Sequence, residues 1–166
     1  MSGDLNQVRY AEREELMDVA IFLDKCWRTE YRQIIVDDYL DAMSVDARYE
    51  RLLSRYDEGM SDFFVMFDDG CMVGAAVFGK SFTDGYESDG EISAIYLHRD
   101  YIGKGYGHRL FTEAERALAE KGYAYIVLDL LAGNARALGF YLAHGYEVVA
   151  NVFVSLKIAQ KRQKTG

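Results

Sequence analysis

The chain reads as a mixed α/β fold, a mostly antiparallel sheet with one central parallel strand pair and helices on its faces. Three observations predict it. Segments with apolar residues at three- and four-residue steps alternate with β-branched and aromatic runs, in the order β-α-α-β-β-β-α-β-α-β. Asp68-Asp69-Gly70 separates two such runs as a hairpin turn, which makes those strands antiparallel. One strand–helix–strand unit, over 91–130, requires a parallel pair with a right-handed crossover.

The elements follow in order. Gln7–Tyr10 is a short first strand. A helix starts near Arg13, with Glu14 and Glu15 in the first turn, where the helix dipole favours negative charge. Leu16, Val19, Ala20, Leu23 and Trp27 form its buried stripe. Ser44 is placed to N-cap a second helix carrying Val45, Tyr49, Leu52 and Tyr56 on one face. Asp62–Phe67 and Cys71–Phe78 are the hairpin strands, and Glu91–Leu97 is a fourth strand after a loop from Lys80 to Gly90. A glycine-rich turn opens a helix over Lys104–Lys121, with Leu110, Phe111, Ala114, Ala117 and Leu118 inward and Gly122 as its C′ residue. Ala124–Leu130 is continuously apolar, as in a strand covered on both sheet faces. Asn134–His144 is a last short helix, and Glu147–Lys157 supplies one or two antiparallel strands. The sequence has no proline, so glycine and Asp/Asn clusters mark the turns.

At 166 residues the chain is expected to form a single domain, 1–166. A net charge of −8 leaves no broad basic surface to displace counterions from phosphates, which excludes a nucleic-acid partner and favours cationic acceptors. No apolar run reaches signal or membrane-spanning length, so cytoplasm and no membrane partner are expected. Cys26 and Cys71 lie in apolar stretches without ligand spacing and read as buried thiols in a reducing compartment. His98, His108 and His144 form no His-x-x-x-His pattern, so no metal is expected. The basic run from Lys157 to Lys164 reads as a solvated tail, and a homodimer is compatible with all of this.

Ile102-Gly103-Lys104-Gly105-Tyr106-Gly107 lies between a strand and an amphipathic helix. Alternate glycines let the backbone curl, so that several N–H groups share one concavity at a helix start. Such a nest suits a phosphate or pyrophosphate. Each charge–dipole contact contributes roughly 0.3–1 kcal/mol. The structural alternative is a tight turn whose glycines serve helix–sheet packing. A P-loop does not fit, because Gly105 follows Lys104 where Ser or Thr is needed. A dinucleotide fold fits better, with Asp129 near the place of a ribose-binding acid. However, the spacing is G-x-G-x-G, too few βα units follow, and Asp129 is more simply a polar strand end.

Over about sixty residues the sequence resembles the GNAT superfamily of acyl-CoA N-acetyltransferases. The glycine turn is similar to that family's Q/R-x-x-G-x-G/A, with Ile102 in place of Gln or Arg. Asn134-Ala135-Arg136-Ala137-Leu138-Gly139-Phe140-Tyr141-Leu142-Ala143-His144-Gly145-Tyr146 resembles its N-x-x-A-x-x-F/L-Y-x-x-x-G-F/Y. The resemblance implies acetyl-CoA as acyl donor. The backbone of Ile95, Tyr96 and Leu97 would pair with the pantetheine amides as an added strand. The amides of Ile102, Gly103, Lys104, Gly105, Tyr106, Gly107 and His108 would take the pyrophosphate. Asn134 would bond the pantetheine arm, N-cap its helix, or both. Trp27-x-x-x-Tyr31, Asp38-Tyr39-Leu40 and Arg48 loosely resemble polyamine and small-amine acetyltransferases.

The implied reaction moves an acetyl group to a primary amine by direct attack in a ternary complex. An amine of pKa about 10.4 is only on the order of 0.1% neutral near neutral pH, so a base is needed. Glu91 matches the family's glutamate eleven residues before the Q/R position, with an exposed strand-end carboxylate as the alternative. Ser93, on the same strand face, could orient a water. Tyr141 matches the motif tyrosine that protonates the departing thiolate, with a core tyrosine as the alternative. A backbone N–H near Tyr96 or Leu97 would stabilise the carbonyl oxygen. Trp27 and Tyr31 wall the acceptor side or pack in the core. Asp37, Asp38, Asp41, Asp84, Glu87 and Asp89 hold a second cationic group or are solvated loop acids. Three other functions stay open: a non-catalytic CoA or nucleotide module, a peptide N-terminal or lysine acetyltransferase, and a dinucleotide oxidoreductase.

Overall fold

The computed structural model describes residues 7–31, 44–131, 133–152 and 155–160. The connection carrying Asp37, Asp38 and Asp41, the side chain of Tyr31 and the basic tail beyond residue 160 lie outside the described residues.

The strands are β1 (Arg9–Tyr10), β2 (Ser61–Asp68), β3 (Cys71–Lys80), β4 (Gly90–Leu97), β5 (Ile126–Leu131), β6 (Tyr146–Val152) and β7 (Ser155–Gln160). The helices are α1 (Leu16–Tyr31), α2 (Val45–Asp57), α3 (Tyr106–Glu120) and α4 (Ala135–Ala143). All seven strands form one sheet in the order β1-β2-β3-β4-β5-β7-β6. Every neighbouring pair is antiparallel except β4 and β5, the parallel pair that the crossover through α3 requires.

Local chemistry sets the element ends. Glu15 accepts from the Glu12 amide at 2.9 Å and from both Arg9 guanidinium nitrogens at 2.8 Å, fixing the single 3₁₀ turn that feeds α1. Those Arg9 bonds hold the Glu15 carboxyl down at about 2. Ser44 caps α2 as expected, its hydroxyl accepting from the Ala47 amide at 3.2 Å. The β2–β3 hairpin turns through Asp69 and Gly70, whose φ values of 51° and 80° match a turn with two positive-φ positions. The helix expected from Lys104 starts two residues later, because Gly103 and Gly105 have φ of 82° and 91° and cannot be helical.

Side chains alternate across the sheet with period two. On one face Phe63, Val65, Ala75 and Val77 pack against Leu16, Val19, Ala20 and Leu23 of α1 and Leu52 of α2. On the other, Phe64, Met66, Ala76 and Phe78 pack against Leu110, Phe111, Ala114, Ala117 and Leu118 of α3. The helical periodicities were therefore legible, with Trp27 only half-buried at the end of its stripe. The thiols differ from expectation. Cys71 is exposed because it opens β3 beside the hairpin turn, beyond the reach of the helices. Cys26 is half-buried, and burial pushes its thiol up to about 12.

Two features of β4 position the site. Its register with β3 passes from Val77↔Ala94 to Phe78↔Ile92, leaving Ser93 as the extra residue of a bulge. Its pairing with β5 covers Gly90↔Ile126 and Glu91↔Val127 and then stops. A bulge bends a strand and sharpens its twist, so the parallel strands part just beyond Glu91.

Candidate active site

The parted strands leave an open backbone edge. The His98 amide donates to the Val73 carbonyl at 2.8 Å, so ladder alternation turns Tyr96 toward β3 and Ile95 and Leu97 toward the gap. Ile95 thus offers its backbone groups to an extended ligand and Leu97 its N–H, while the Leu97 carbonyl accepts from the Cys26 thiol at 3.8 Å. The Tyr96 backbone, grouped with them on sequence grounds, is committed to the β3 ladder, although its residue still lines the gap.

The glycine turn faces the same gap. Among the described residues, no backbone carbonyl accepts from the N–H groups of 103–108; the first bond of α3 is Arg109 N–H to the Gly105 carbonyl, at 3.2 Å. The first turn of α3 carries no acidic residue. A Cβ on Gly103 or Gly105 would meet nothing within 4 Å, so those glycines serve the positive φ and leave the approach clear. Free N–H donors, a helix dipole and an open approach form a donor set that fits a diphosphate. Ile102 lines the gap, but its amide, grouped with the nest on sequence grounds, donates to the Arg99 carbonyl at 3.3 Å as the cap of the short turn before it. Lys104 is exposed, and the Tyr106 ring packs 6.0 Å from Tyr101.

Two clefts meet here. One of about 250 Å³ runs between the end of β4, the glycine turn and α4, past Ile95, Leu97, Gly105, His108 and Tyr141. The other, about 860 Å³, opens toward α1 past Cys26, Arg28, Glu30, Arg99 and Asn134. Glu30, Leu97, Ile102 and Arg136 line both. Asn134 is buried and N-caps α4, accepting from the Ala137 amide at 3.2 Å. Its side-chain amide donates to Glu30 at 2.9 Å, and Arg136 donates to the same Glu30 oxygen at 3.1 Å. Glu30 therefore ties α1 to the start of α4, 104 positions away in sequence. No local pattern in α1 signalled that contact.

Glu91 stands at the apex of the gap and is not an exposed strand end: it is 8% exposed. Thr83 donates to its Oε1 at 2.8 Å and Ser81 to the same oxygen at 3.3 Å, while Ser93 donates to Oε2 at 3.3 Å. Ser81 and Thr83 were missed; their alternation just ahead of β4 was the available signal. Ser93 shares the face of Glu91 as expected and is itself exposed. Tyr141 is buried on α4 within an aromatic cluster, its ring 5.8 Å from Phe111 and 5.6 Å from Phe140, and it also lines the smaller cleft. The packing is that of a core tyrosine, and the residue also borders the cleft.

The acceptor-side residues are less gathered. Trp27 is half-buried on α1 one residue after Cys26, which lines the larger cleft. Asp84 and Glu87 are exposed on the β3–β4 loop, where the Gly85 amide donates to Glu87 at 3.0 Å and lowers its carboxyl. Neither acid lines the two clefts. Among the described residues no group of His, Cys, Asp and Glu could hold a metal ion, and no helix is long and apolar enough to cross a membrane.

The site thus combines an interrupted parallel strand pair with a donor-rich helix start on one side of the sheet. The model of the Acetyltransferase (GNAT) family matches residues 23–146, and the chain belongs to that family of N-acetyltransferases. An uncharacterized N-acetyltransferase of Bacillus subtilis, YuaI, is 32% identical over 145 residues, 86% of this chain and 81% of that protein. The spermidine N(1)-acetyltransferase of Thermoplasma acidophilum is 24% identical, over 89% of this chain and 90% of its own. The crystal structure of PaiA N-acetyltransferase from Thermoplasma acidophilum in complex with coenzyme A superposes with a TM-score of 0.80, at 22% identity, covering 94% of this chain and 98% of that one.

Proposed function

We propose that this enzyme transfers an acetyl group from acetyl-CoA to the primary amine of a small molecule, with a polyamine as the favoured acceptor. The observation that carries this reading is the opening of β4 from β5 at Glu91, beside the unpaired N–H groups of 103–108. The acceptor class draws on the likeness to a spermidine acetyltransferase and on the net charge of −8, which attracts polycations. The two free thiols suit the reducing cytoplasm expected from sequence.

When bound, acetyl-CoA supplies the activated acyl carbon. The N–H groups of 103–108 hold the diphosphate, and the backbone edges of Ile95 and Leu97 pair with the amides of the arm. Asn134 holds the far wall through its cap and its bond to Glu30. An N–H of that β4 edge stabilises charge developing on the carbonyl oxygen. Glu91 receives the proton of the attacking amine through water or the exposed Ser93 hydroxyl. As the C–N bond forms and the C–S bond breaks, Tyr141 gives its phenolic proton to the thiolate sulfur and is reprotonated from solvent. Trp27, Tyr31, Asp84 and Glu87 remain the acceptor-side candidates.

The test is CoA thiol release against a panel of diamines, polyamines, amino acids and lysine peptides. Release with polyamines above the rest supports the reading. Stabilisation by acetyl-CoA without release from any amine would replace it with a non-catalytic CoA-binding module. At 100 times its dissociation constant, acetyl-CoA adds about 2.7 kcal/mol of stability, so binding is detectable apart from turnover.

A further inference from the structure

Two histidines join the glycine turn to α4. His108 Nδ1 lies 2.8 Å from His144 Nε2, and His144 Nδ1 lies 2.7 Å from the Phe140 carbonyl. Chemistry assigns the protons. A carbonyl only accepts, so His144 carries its hydrogen on Nδ1 and, when neutral, presents a lone pair at Nε2. His108 donates its Nδ1–H to that lone pair. The lone pair left over in the pair is on His108 Nε2, on a residue that lines the smaller cleft at the end of the glycine turn.

A proton added at His108 Nε2 keeps both existing bonds and turns the ring into a cation with a free N–H donor. The titratable groups facing the pair come from α1, α3, α4 and β6. Glu115 of α3 feels both histidines, and it accepts from the Tyr146 hydroxyl of β6 at 2.8 Å. Tyr141 of α4 lines the cleft beside His108, and across it Glu30 of α1 is paired with Arg136 at 3.1 Å. His144 is held in place by rings, 4.2 Å from Phe140 and 5.0 Å from Phe111.

We propose that His108 and His144 form a proton-accepting pair: when the diphosphate of a CoA ester seats on the glycine turn, His108 takes up a proton at Nε2 and donates to the anion, while His144 positions its ring. The proton comes from solvent and forms the Nε2–H bond on the ring's lone pair; no other bond forms or breaks. This rests on the cofactor reading above. Binding raises the affinity of the pair for its proton, so CoA affinity is greatest at low pH and falls as pH rises through the titration of the bound pair.

Isothermal titration calorimetry with CoA tests it, in PIPES and in Tris at about pH 7.5, where the difference in buffer ionisation heat counts protons. The wild-type chain is compared with His144→Phe, which keeps the ring packing but loses both nitrogens. The wild type is expected to take up about half to one proton more per CoA than the variant, and the variant to bind CoA about three- to tenfold more weakly. The ligand's own phosphate titration is common to both proteins and cancels in the difference. Thermal unfolding checks that the variant is folded; should it fail, His108→Gln, at an exposed position, carries the same comparison. Equal proton uptake by wild type and a folded variant overturns the pair. No heat with CoA in the wild-type chain overturns the cofactor reading itself, and the pair with it.

Discussion

Replacing Glu91 by Gln should separate catalysis from folding. The side chain is 8% exposed and surrounded by hydroxyls: Ser81 and Thr83 donate to Oε1, Ser93 to Oε2. Gln keeps the shape, its carbonyl can accept from Ser81 and Thr83, and its amide can donate to Ser93. Three bonds lose charge assistance, at about 0.5–1 kcal/mol each, while the desolvation of a buried carboxylate disappears and offsets most of that. Net stability should change by about 1 kcal/mol, a melting shift of about 2–4 °C for a chain of this size. Turnover should fall about 10²–10⁴-fold, the contribution of a positioned base. The deficit should also depend on pH. The variant can use only amine that is already neutral, so its rate should climb about tenfold per pH unit toward the amine pKa of about 10.4 and close on the wild type there. Initial rates of CoA release between pH 7 and 10, with a polyamine as acceptor, measure this. A variant within threefold of wild type at pH 7 would refute the base role and leave Glu91 as an anchor for the loop at Ser81–Thr83.

Tyr141→Phe should lower kcat by about 10²-fold with little change in the KM for acetyl-CoA; small, equal effects on both would remove the general-acid role. Phe111→Ala removes a fully buried ring within 5.8 Å of Phe140, Tyr141, His144 and Tyr146, and should cost about 3–5 kcal/mol by denaturant unfolding. Glu15 is held at about 2 against an ordinary 4.5, so its bridge to Arg9 stabilises fully above pH 4.5 and weakens as pH falls through about 2. Arg9 is about half exposed, which limits the effect through solvent screening. Glu15→Gln should therefore lower the melting temperature slightly at pH 7 and leave it unchanged near pH 2.

Where residues meet neighbours close in sequence, the chain was readable. The five inward positions of α3 are all buried, Ser44 caps α2, and the Asp69-Gly70 turn has the geometry its residues favour. The tight curl of the glycine turn was readable because positive φ at Gly103 and Gly105 is a property of the backbone. What sequence hid depends on distant partners. Glu91-Ile92-Ser93-Ala94-Ile95 reads as a regular strand, and only its register against β3 reveals the bulge at Ser93. Glu30 reads as an ordinary helix acid until α4 is folded against it. Cys71 sits among apolar residues, yet the end of a strand lies past the covering helices.

The divergence of β4 from β5 also bears on solubility. Unpaired strand edges usually invite other chains to pair, and proteins blunt them with charge or cover. Here the open rungs of Ile95 and Leu97 face across the sheet toward β5 rather than along its outer margin, and the Leu97 carbonyl already accepts from the Cys26 thiol. A slender ligand can still enter from the ends. The sheet thus keeps an unfilled place for a guest strand without presenting a sticky margin to the solution, and filling it should make the middle of the sheet slower to exchange its amide hydrogens.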